Sequence, residues 1–581
     1  WGLRSLSSVS GDRSFTKSIP AQVPGDVLSD LLAAKLIADP FYRENEDEVQ
    51  WVGEADWQYR RDFQVPKDLL LASCVMLQCD GLDTLATILI NGKKVAGTDN
   101  MHRRYEWDVK PLLKSGRNTI QVTFSSVNAY TRERFPENPI RLRVDQGTPN
   151  AYPGWVRKEA CNFGWDWGPI LVTAGIWRSI RLVGYSVGRI DDVEIRQQHA
   201  NGSVTLATRC TLGVLGEANL RTKLIVSLHG IIVAQSEASA RGGKTRHKVD
   251  IAKPQLWWPN GMGAQPLYEV RVMLLAEDGE VLDTNVKRVG LRTLRLDRHA
   301  DEWGESFQFV VNGVPFFAKG ANWIPADALP GHRPDAVYRR LLEDSVAVNM
   351  NMIRVWGGGV YENDVFYDIC DELGLCVWQD FMFACMGYPA WDKAFLASVE
   401  AEARDNVRRL RHHACIALWC GNNELEQQGV GENPKIHMQW KDYKRLFDVL
   451  LPRVVKQLAA DMDYWPCSPH SPHGDRADYN NPSCGDAHLW DVWHGKKPFE
   501  WYRTCGHRFN SEFGFQSFPE PKTVYGYTEK GDRNVTTPVM EHHQRSGIGN
   551  TTIMQYMLDW FRLPTSFEMT LWASQILQGM A

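Results

Sequence analysis

Two glutamates occupy positions from which bond-breaking chemistry could be done. Glu424 follows the apolar run ACIALW through Trp419, and Glu512 follows the segment RFNS. Paired carboxylates flanking a bond are what glycoside cleavage needs: one donates a proton, and the other attacks or activates water. A single glutamate is more often solvated or ion-paired. Two of them, each behind an apolar stretch and with Asn423 and Arg354 in the same set of segment ends, make a sharper pattern. The other segment ends read Lys319-Gly320-Ala321-Asn322-Trp323, Arg354-Val355-Trp356, Gln379-Asp380 and Trp493-His494. Polar groups and Trp recurring there would stabilise a core poorly and would build a polar pocket with aromatic walls well.

Competing motifs are weaker. Gly357-Gly358-Gly359 could cradle a phosphate, but no Lys-Ser/Thr follows, so a plain turn is favoured. His412-His413, His470 with His473, and His542-His543 lack a Cys or carboxylate at a recognisable metal-site spacing. No GxSxG element is present to supply a serine nucleophile.

The elements that must position the two glutamates lie in the last part of the chain. From about residue 301, short apolar runs alternate with helical patterns, the signature of βα units and a parallel sheet. Strands are expected at 314–318, 352–355, 375–378, 414–419, 464–467, 488–493 and 508–513. Helices are expected at 334–348, 363–373, 393–410, 442–462, 551–561 and 566–578. In a (β/α)8 barrel, functional residues sit at the C-terminal ends of the strands. Seven strands are found and no eighth, so a barrel incomplete at its C-terminus is expected.

Upstream, the chain reads as β. The run TLATILI ends at Asn91-Gly92, a hairpin-turn dipeptide, and only residues 27–36 look helical in the first 187. This predicts a sandwich or jelly roll over residues 1–187. Alternating segments such as SVTL and LIVSL predict an immunoglobulin-like β-sandwich over 188–298. Residues 299–581 would be the barrel.

Composition limits the partners. The 581 residues carry a formal charge of −5, which offers no basic field for nucleic acid or acidic lipid. No stretch approaches a membrane span. The 12 Cys are scattered without a CxxC pair, so neither a disulfide framework nor a zinc site is expected. The 23 Trp can pack a core or offer flat faces to the C–H surfaces of a sugar.

At these residues the chain resembles glycoside hydrolase family 2, and within it the β-mannosidases. The carrying motifs are WCGNNE ending at Glu424, FNSEFGFQSFPE around Glu512, and RVWGGGVYE from Arg354. Upstream, DPFYRENE, VQWVGEADWQYRRDF and NFGWDWGP match the first domain, and LWWPNGMG and VGLRTLRL match the second. The resemblance implies a jelly roll, an immunoglobulin-like domain and a (β/α)8 barrel. It implies a retaining exo-hydrolase of terminal β-mannose on oligosaccharides or glycoconjugates, with Glu424 as acid/base and Glu512 as nucleophile. Asn423 would bind the sugar 2-hydroxyl, Trp356 and Trp493 would line the pocket, and Arg354 would orient the nucleophile. Trp165 and Asp166 would reach in from the first domain. No cofactor and no metal is implied. The chain departs from the family where a Trp should follow the acid/base, since GVGENP stands there, and in the missing eighth-strand Trp. The alternatives are another exo-β-glycosidase of the family, of galactosidase or glucosaminidase type, and a carbohydrate-binding protein without turnover. Neither compartment nor oligomeric state is legible.

Overall fold

The computed structural model describes residues 1–6, 17–134, 152–216, 218–331, 333–433 and 437–581; Pro434 of the GVGENP segment lies outside them. The first sheets are antiparallel. A six-stranded sheet runs in the order Ile19–Pro20, Gly2–Ser5, Trp57–Gln64, Arg117–Phe124, Ala86–Ile90, Lys93–Gly97. A three-stranded sheet of Ile180–Tyr185, Cys74–Cys79 and Tyr105–Asp108 shares its core, which includes Trp57, Tyr59, Leu77, Ile88 and Phe124. Arg117–Phe124 alternates buried and half-buried residues, as a strand with one face on a core must. The expected hairpin forms at Asn91-Gly92, whose φ values of 51° and 79° suit the twist-matched two-residue turn.

A three-stranded sheet (Gly188–Ala200, Ser203–Val214, Lys244–Ala252) and a four-stranded sheet (Ile231–Ser239, Arg221–Leu228, Leu267–Leu275, Val281–Gly290) follow, both antiparallel. They close over a core that includes Leu206, Leu224, Val226, Val270 and Val272.

The parallel strands come last. We label them β1 (Gly320–Trp323), β2 (Met352–Val355), β3 (Cys376–Asp380), β4 (Ile416–Cys420), β5 (Tyr464–Trp465), β6 (Ala487–Leu489) and β7 (Asn510–Phe513). The first five form one sheet in sequence order, and β6 pairs with β7. Helices α1 (Asp335–Ala347), α2 (Asp364–Leu373) and α3 (Lys393–Leu410) follow β1, β2 and β3 in turn. β2, β3 and β4 are buried at every residue, and they read as short, mainly apolar runs that carry Arg354 in β2 and Gln379-Asp380 at the end of β3. Helix α2 ends at Gly374 in the left-handed region (φ 75°), where a Cβ would be strained.

One expected strand is displaced. Residues 314–318 are expected in the parallel sheet, but Val314–Phe316 pairs antiparallel with Gln308–Val311, which pairs with Leu294–Asp297. The cause is a second Asn-Gly turn, Asn312-Gly313 (φ 50° and 81°), which folds the chain back before it can enter the sheet. The first parallel strand is β1, four residues that look polar because they carry pocket residues. Segment 488–493 is likewise strand only to Leu489; Trp490 to Trp493 lie beyond it.

Candidate active site

A cavity of about 1850 Å³ runs along β1 and β7 and reaches the C-terminal ends of the parallel strands. All eight residues expected from the sequence line it: Trp165, Asp166, Arg354, Trp356, Asn423, Glu424, Trp493 and Glu512.

Arg354, from β2, is buried and ties the floor together. Its Nη1 donates to Glu512 Oε2 at 2.7 Å and to Asn322 Oδ1 at 2.9 Å. Its Nη2 donates to Asp380 Oδ2 and to Asn423 Oδ1, each at 2.8 Å. One planar guanidinium thus fixes side chains from β1, β3, the end of β4, and β7, a geometry that a lysine could not reproduce. Asn423 is buried, with its carbonyl oxygen engaged by Arg354 and its Nδ2 donating to Cys385 Sγ at 3.3 Å.

Glu512 accepts from Arg354 on Oε2 and from Trp490 Nε1 on Oε1 at 3.1 Å. Glu424 sits just past β4 with φ 58°, leading into one turn of π-helix over Leu425–Gly429. Its Oε1 lies 2.7 Å from His488 Nδ1, and its Oε2 accepts from Gln428 Nε2 at 2.8 Å and from Cys385 Sγ at 3.4 Å. A non-glycine residue held in the left-handed region is strained, and such strain persists where the surroundings over-determine it.

His488 stands between the two acids, with Nδ1 2.7 Å from Glu424 Oε1 and 3.6 Å from Glu512 Oε2. One oxygen of each carboxylate and this nitrogen lie within 4.8 Å of one another. The electrostatics follow from that geometry. Burial pushes the Glu424 carboxyl up, but the hydrogen bond and charge of His488 outweigh it, and the net direction is down. Glu512 and the Trp walls would by themselves raise Glu424; the imidazole of His488 intervenes. Burial lowers His488, but Glu512 and Glu424 together leave it above the ordinary histidine value. Glu424 and His488, 2.7 Å apart, titrate together.

The opposite wall is aromatic. Trp165 and Gly168 close a tight hairpin with Asp166 and Trp167 at its tip, so the turn and the pocket wall are the same residues. The Trp165 ring meets Trp356 edge-on at 4.7 Å and 81°, and Trp167 lies 5.4 Å from Trp356. The Trp356 indole lies over Gly358, where a Cβ would fall 1.8 Å from Cη2. Gly357–Gly359 is accordingly a turn that makes room for a ring. Burial, and then the charges of Glu424 and Glu512, push the Asp166 carboxyl up to about 6.

Three cavity-lining residues, Asn322, His488 and Trp490, and the fully buried Asp380 that Arg354 binds, have no role in the sequence expectations. Asn322 and Asp380 stood at recognised strand ends but had no role. His488 and Trp490 lie two apart at the end of β6, hence on one face, a spacing that could have found them had the strand boundary been placed at Leu489. Trp493 is buried among Phe499, Phe515 and Val492 and forms the wall from behind, whereas Trp490 touches Glu512. Of the histidine pairs, His413 does have acidic and thiol neighbours. Its Nδ1 is 2.7 Å from Asp371 Oδ2, and Asp371 Oδ1 accepts the Cys415 N–H at 2.7 Å, a hydrogen-bonded core group away from the cavity.

Residues 1–178 match the family description "Glycosyl hydrolase 2 galactose-binding domain-like", and residues 188–292 match "Glycosyl hydrolases family 2". The chain is a glycoside hydrolase. It is 37% identical over 588 aligned residues to Beta-mannosidase B of Emericella nidulans, an alignment covering 98% of this chain and 69% of that one. It superposes on the crystal structure of Beta-D-Mannosidase from Dictyoglomus thermophilum with a TM-score of 0.93 and 38% identity, covering 100% of this chain and 70% of that one. The exo-chitosanase CsxA of Amycolatopsis orientalis shares the fold at 18% identity, with a TM-score of 0.67 and coverage of 92% and 60%. The chain belongs to glycoside hydrolase family 2.

Proposed function

We propose that the protein is a retaining exo-β-mannosidase, releasing terminal non-reducing β-D-mannose from oligosaccharides or glycoconjugates. The observation that carries the mechanism is the approach of the two carboxylates, with one oxygen of each inside 4.8 Å. Retaining hydrolases hold their carboxyl groups roughly 5–5.5 Å apart, whereas inverting ones need about 6.5–9.5 Å to admit a water. The choice of mannose is supported by the two β-mannosidase relatives, at 37% and 38% identity.

In this reading Glu512 attacks the anomeric carbon, and Arg354 and Trp490 hold it in line. Glu424 protonates the departing oxygen and then takes a proton from water. Asn423, which lines the cavity, offers its Nδ2 to the 2-hydroxyl. Trp356 and Trp165 pack on the terminal sugar, Asp166 accepts from its remote hydroxyls, and Trp493 backs the wall. The seven parallel strands are read as part of a (β/α)8 barrel over residues 299–581, behind a jelly roll (1–187) and an immunoglobulin-like sandwich (188–298).

A panel of 4-nitrophenyl β-glycosides tests the substrate. The manno-configured compound is expected to turn over fastest; faster galacto- or glucosamine-configured hydrolysis would replace mannose with that sugar.

A further inference from the structure

His488 makes hydrogen bonds at both ring nitrogens, and they determine where its protons can be. On the far side, Nε2 lies 2.9 Å from Ser468 Oγ, and Ser468 Oγ donates to Asp486 Oδ2 at 2.6 Å. Asp486 is fully buried and accepts further bonds from Ser511 Oγ at 2.6 Å, Trp465 Nε1 at 2.7 Å and the His470 N–H at 3.0 Å. A carboxylate only accepts, so the Ser468 hydroxyl proton points at Asp486 and its lone pair receives Nε2–H. With Nε2 committed as a donor, Nδ1 has two states. It either carries a proton and donates to Glu424, or it is bare and accepts one from Glu424. The pair shares a single mobile proton across 2.7 Å.

We propose that His488 is the proton reservoir of the active site: it holds the proton of the general acid on Nδ1 in the resting enzyme, passes it to Glu424 when a glycoside is bound, and receives it back through Glu424 from water in the second half-reaction. This rests on the roles of Glu424 and Glu512 given above. The balance is as follows. At rest Glu512 is anionic, and the Glu424–His488 pair is a carboxylate beside an imidazolium. In the first step the proton moves from Nδ1 to Glu424 and on to the glycosidic oxygen as the bond to the anomeric carbon breaks. Glu512 forms the ester bond to that carbon and loses its charge. The pair is left as a carboxylate beside a neutral imidazole. In the second step Glu424 takes a proton from water, the resulting hydroxide oxygen bonds to the anomeric carbon, the ester breaks, and the proton returns to Nδ1. The negative charge therefore passes from Glu512 to the pair and back, so the buried site never changes its net charge.

The position of His488 couples the two events. Glu512 Oε2, 3.6 Å from Nδ1, is one of the two anions that favour the imidazolium. When esterification removes that charge, the imidazole holds a proton less strongly just as the pair has given one up. The other charged groups facing the ring are Arg354 from β2 and Asp380 from β3, which oppose one another, and Asp486 through Ser468.

The test is kcat/KM against pH for the wild type, H488N and S468A, on one β-mannoside with a dinitrophenolate leaving group and one with an unactivated leaving group. H488N is expected to lose about 100-fold or more on the unactivated substrate and less than about 10-fold on the activated one, because only the former needs a proton. Its alkaline limb is expected to move to lower pH. S468A leaves Glu424, Glu512 and the imidazole in place and removes the acceptor for Nε2–H together with one of the donors to Asp486; its limb is expected to move the same way by less, which serves if H488N does not fold. An unmoved limb in both variants, or equal losses on both substrates, would overturn the proposal. Nitrogen-15 spectra of the histidine-labelled full chain add a readout that needs no substrate. A His488 ring protonated at both nitrogens near neutral pH is expected, and a singly protonated ring overturns the reservoir even in an active mannosidase. A doubly protonated ring in a chain inert to every β-mannoside would instead overturn the substrate reading on which it rests.

Discussion

Arg157 and Glu402 form a two-point ion pair with almost no exposure to water, Nε to Oε2 at 2.8 Å and Nη2 to Oε1 at 2.7 Å. Arg157 lies in the segment leading to the Trp165 hairpin, and Glu402 lies on α3 among the parallel strands. Asn100 and Tyr361 complete the satisfaction of Glu402, each at 2.9 Å, and the Arg157 guanidinium lies 3.9 Å over the Phe383 ring. Two residues on, Glu159 pairs with Arg333 at 2.8 Å, also out of solvent. Breaking such a pair from one side leaves a bare buried charge, which costs about 3–5 kcal/mol. Arg157→Met is expected to destabilise by that order and Arg157→Met with Glu402→Leu by less, measured as the change in the denaturation midpoint. Equal losses would show that the ion pair is not what holds this contact.

The roles of the two acids are separable by chemical rescue. Glu512→Ala should abolish turnover of every substrate, since no covalent intermediate can form. Glu424→Ala should retain the first step for substrates whose leaving group needs no proton. Azide should then accelerate that variant and yield the β-glycosyl azide. Rescue of Glu512→Ala to a β-product, with none for Glu424→Ala, would exchange the assignments.

Stereochemistry gives a third test. With no room for water between the carboxylates, displacement occurs twice, and the sugar should be released first as the β-anomer. The anomeric proton signal during the first minutes of hydrolysis reads this directly. A first-formed α-anomer would rule out double displacement.

Asp166 supplies a pH dependence. Its pKa of about 6, raised by burial and then by Glu424 and Glu512, means that it is ionised only above that pH. If its carboxylate accepts from sugar hydroxyls, kcat/KM should fall as pH drops through about 6. Asp166→Asn should lower the plateau and remove that limb. A limb near 6 that persists in the Asn variant belongs to another group.

Gly358→Ala probes the Trp356 ring. The new Cβ would stand 1.8 Å from Cη2, so the indole must move. Displacements of about 1 Å in a positioning group can cost roughly 100-fold in rate. A clear fall in kcat/KM is expected; an unchanged value would show that Trp356 does not position the sugar.

The sequence was most legible where one physical demand acted alone. Met352–Val355, Cys376–Asp380 and Ile416–Cys420 are buried at every residue, and their mainly apolar composition announces them despite Arg354, Gln379 and Asp380. Helix Lys393–Leu410 matches its expected limits because Asp392 caps it, accepting from the Ala394 and Phe395 N–H groups. Legibility failed where structure and chemistry compete for the same residues. Gly320–Trp323 is a strand whose composition is set by the pocket, so the apolar Val314–Phe316 nearby drew the assignment. The spacing of His488 and Trp490 places them on one face, but the role of His488 depends on Glu424 and Glu512, brought beside it from distant segments. Both acids were found since each stands in a strong local motif, but the direction of the Glu424 shift needed the third partner.

The hairpin that carries Trp165 and Asp166 is a two-stranded sheet of its own in the first part of the chain, yet it forms one side of a cavity whose floor is made by the parallel strands. Neither part alone encloses the sugar. During renaturation, secondary structure and much of the tryptophan burial can return as each part folds separately, since large chains fold unit by unit. Catalysis must wait for the two parts to dock through Arg157–Glu402 and Glu159–Arg333. Recovery of enzymatic rate should therefore lag behind recovery of circular dichroism, and the lag should lengthen in chains whose docking pairs have been weakened.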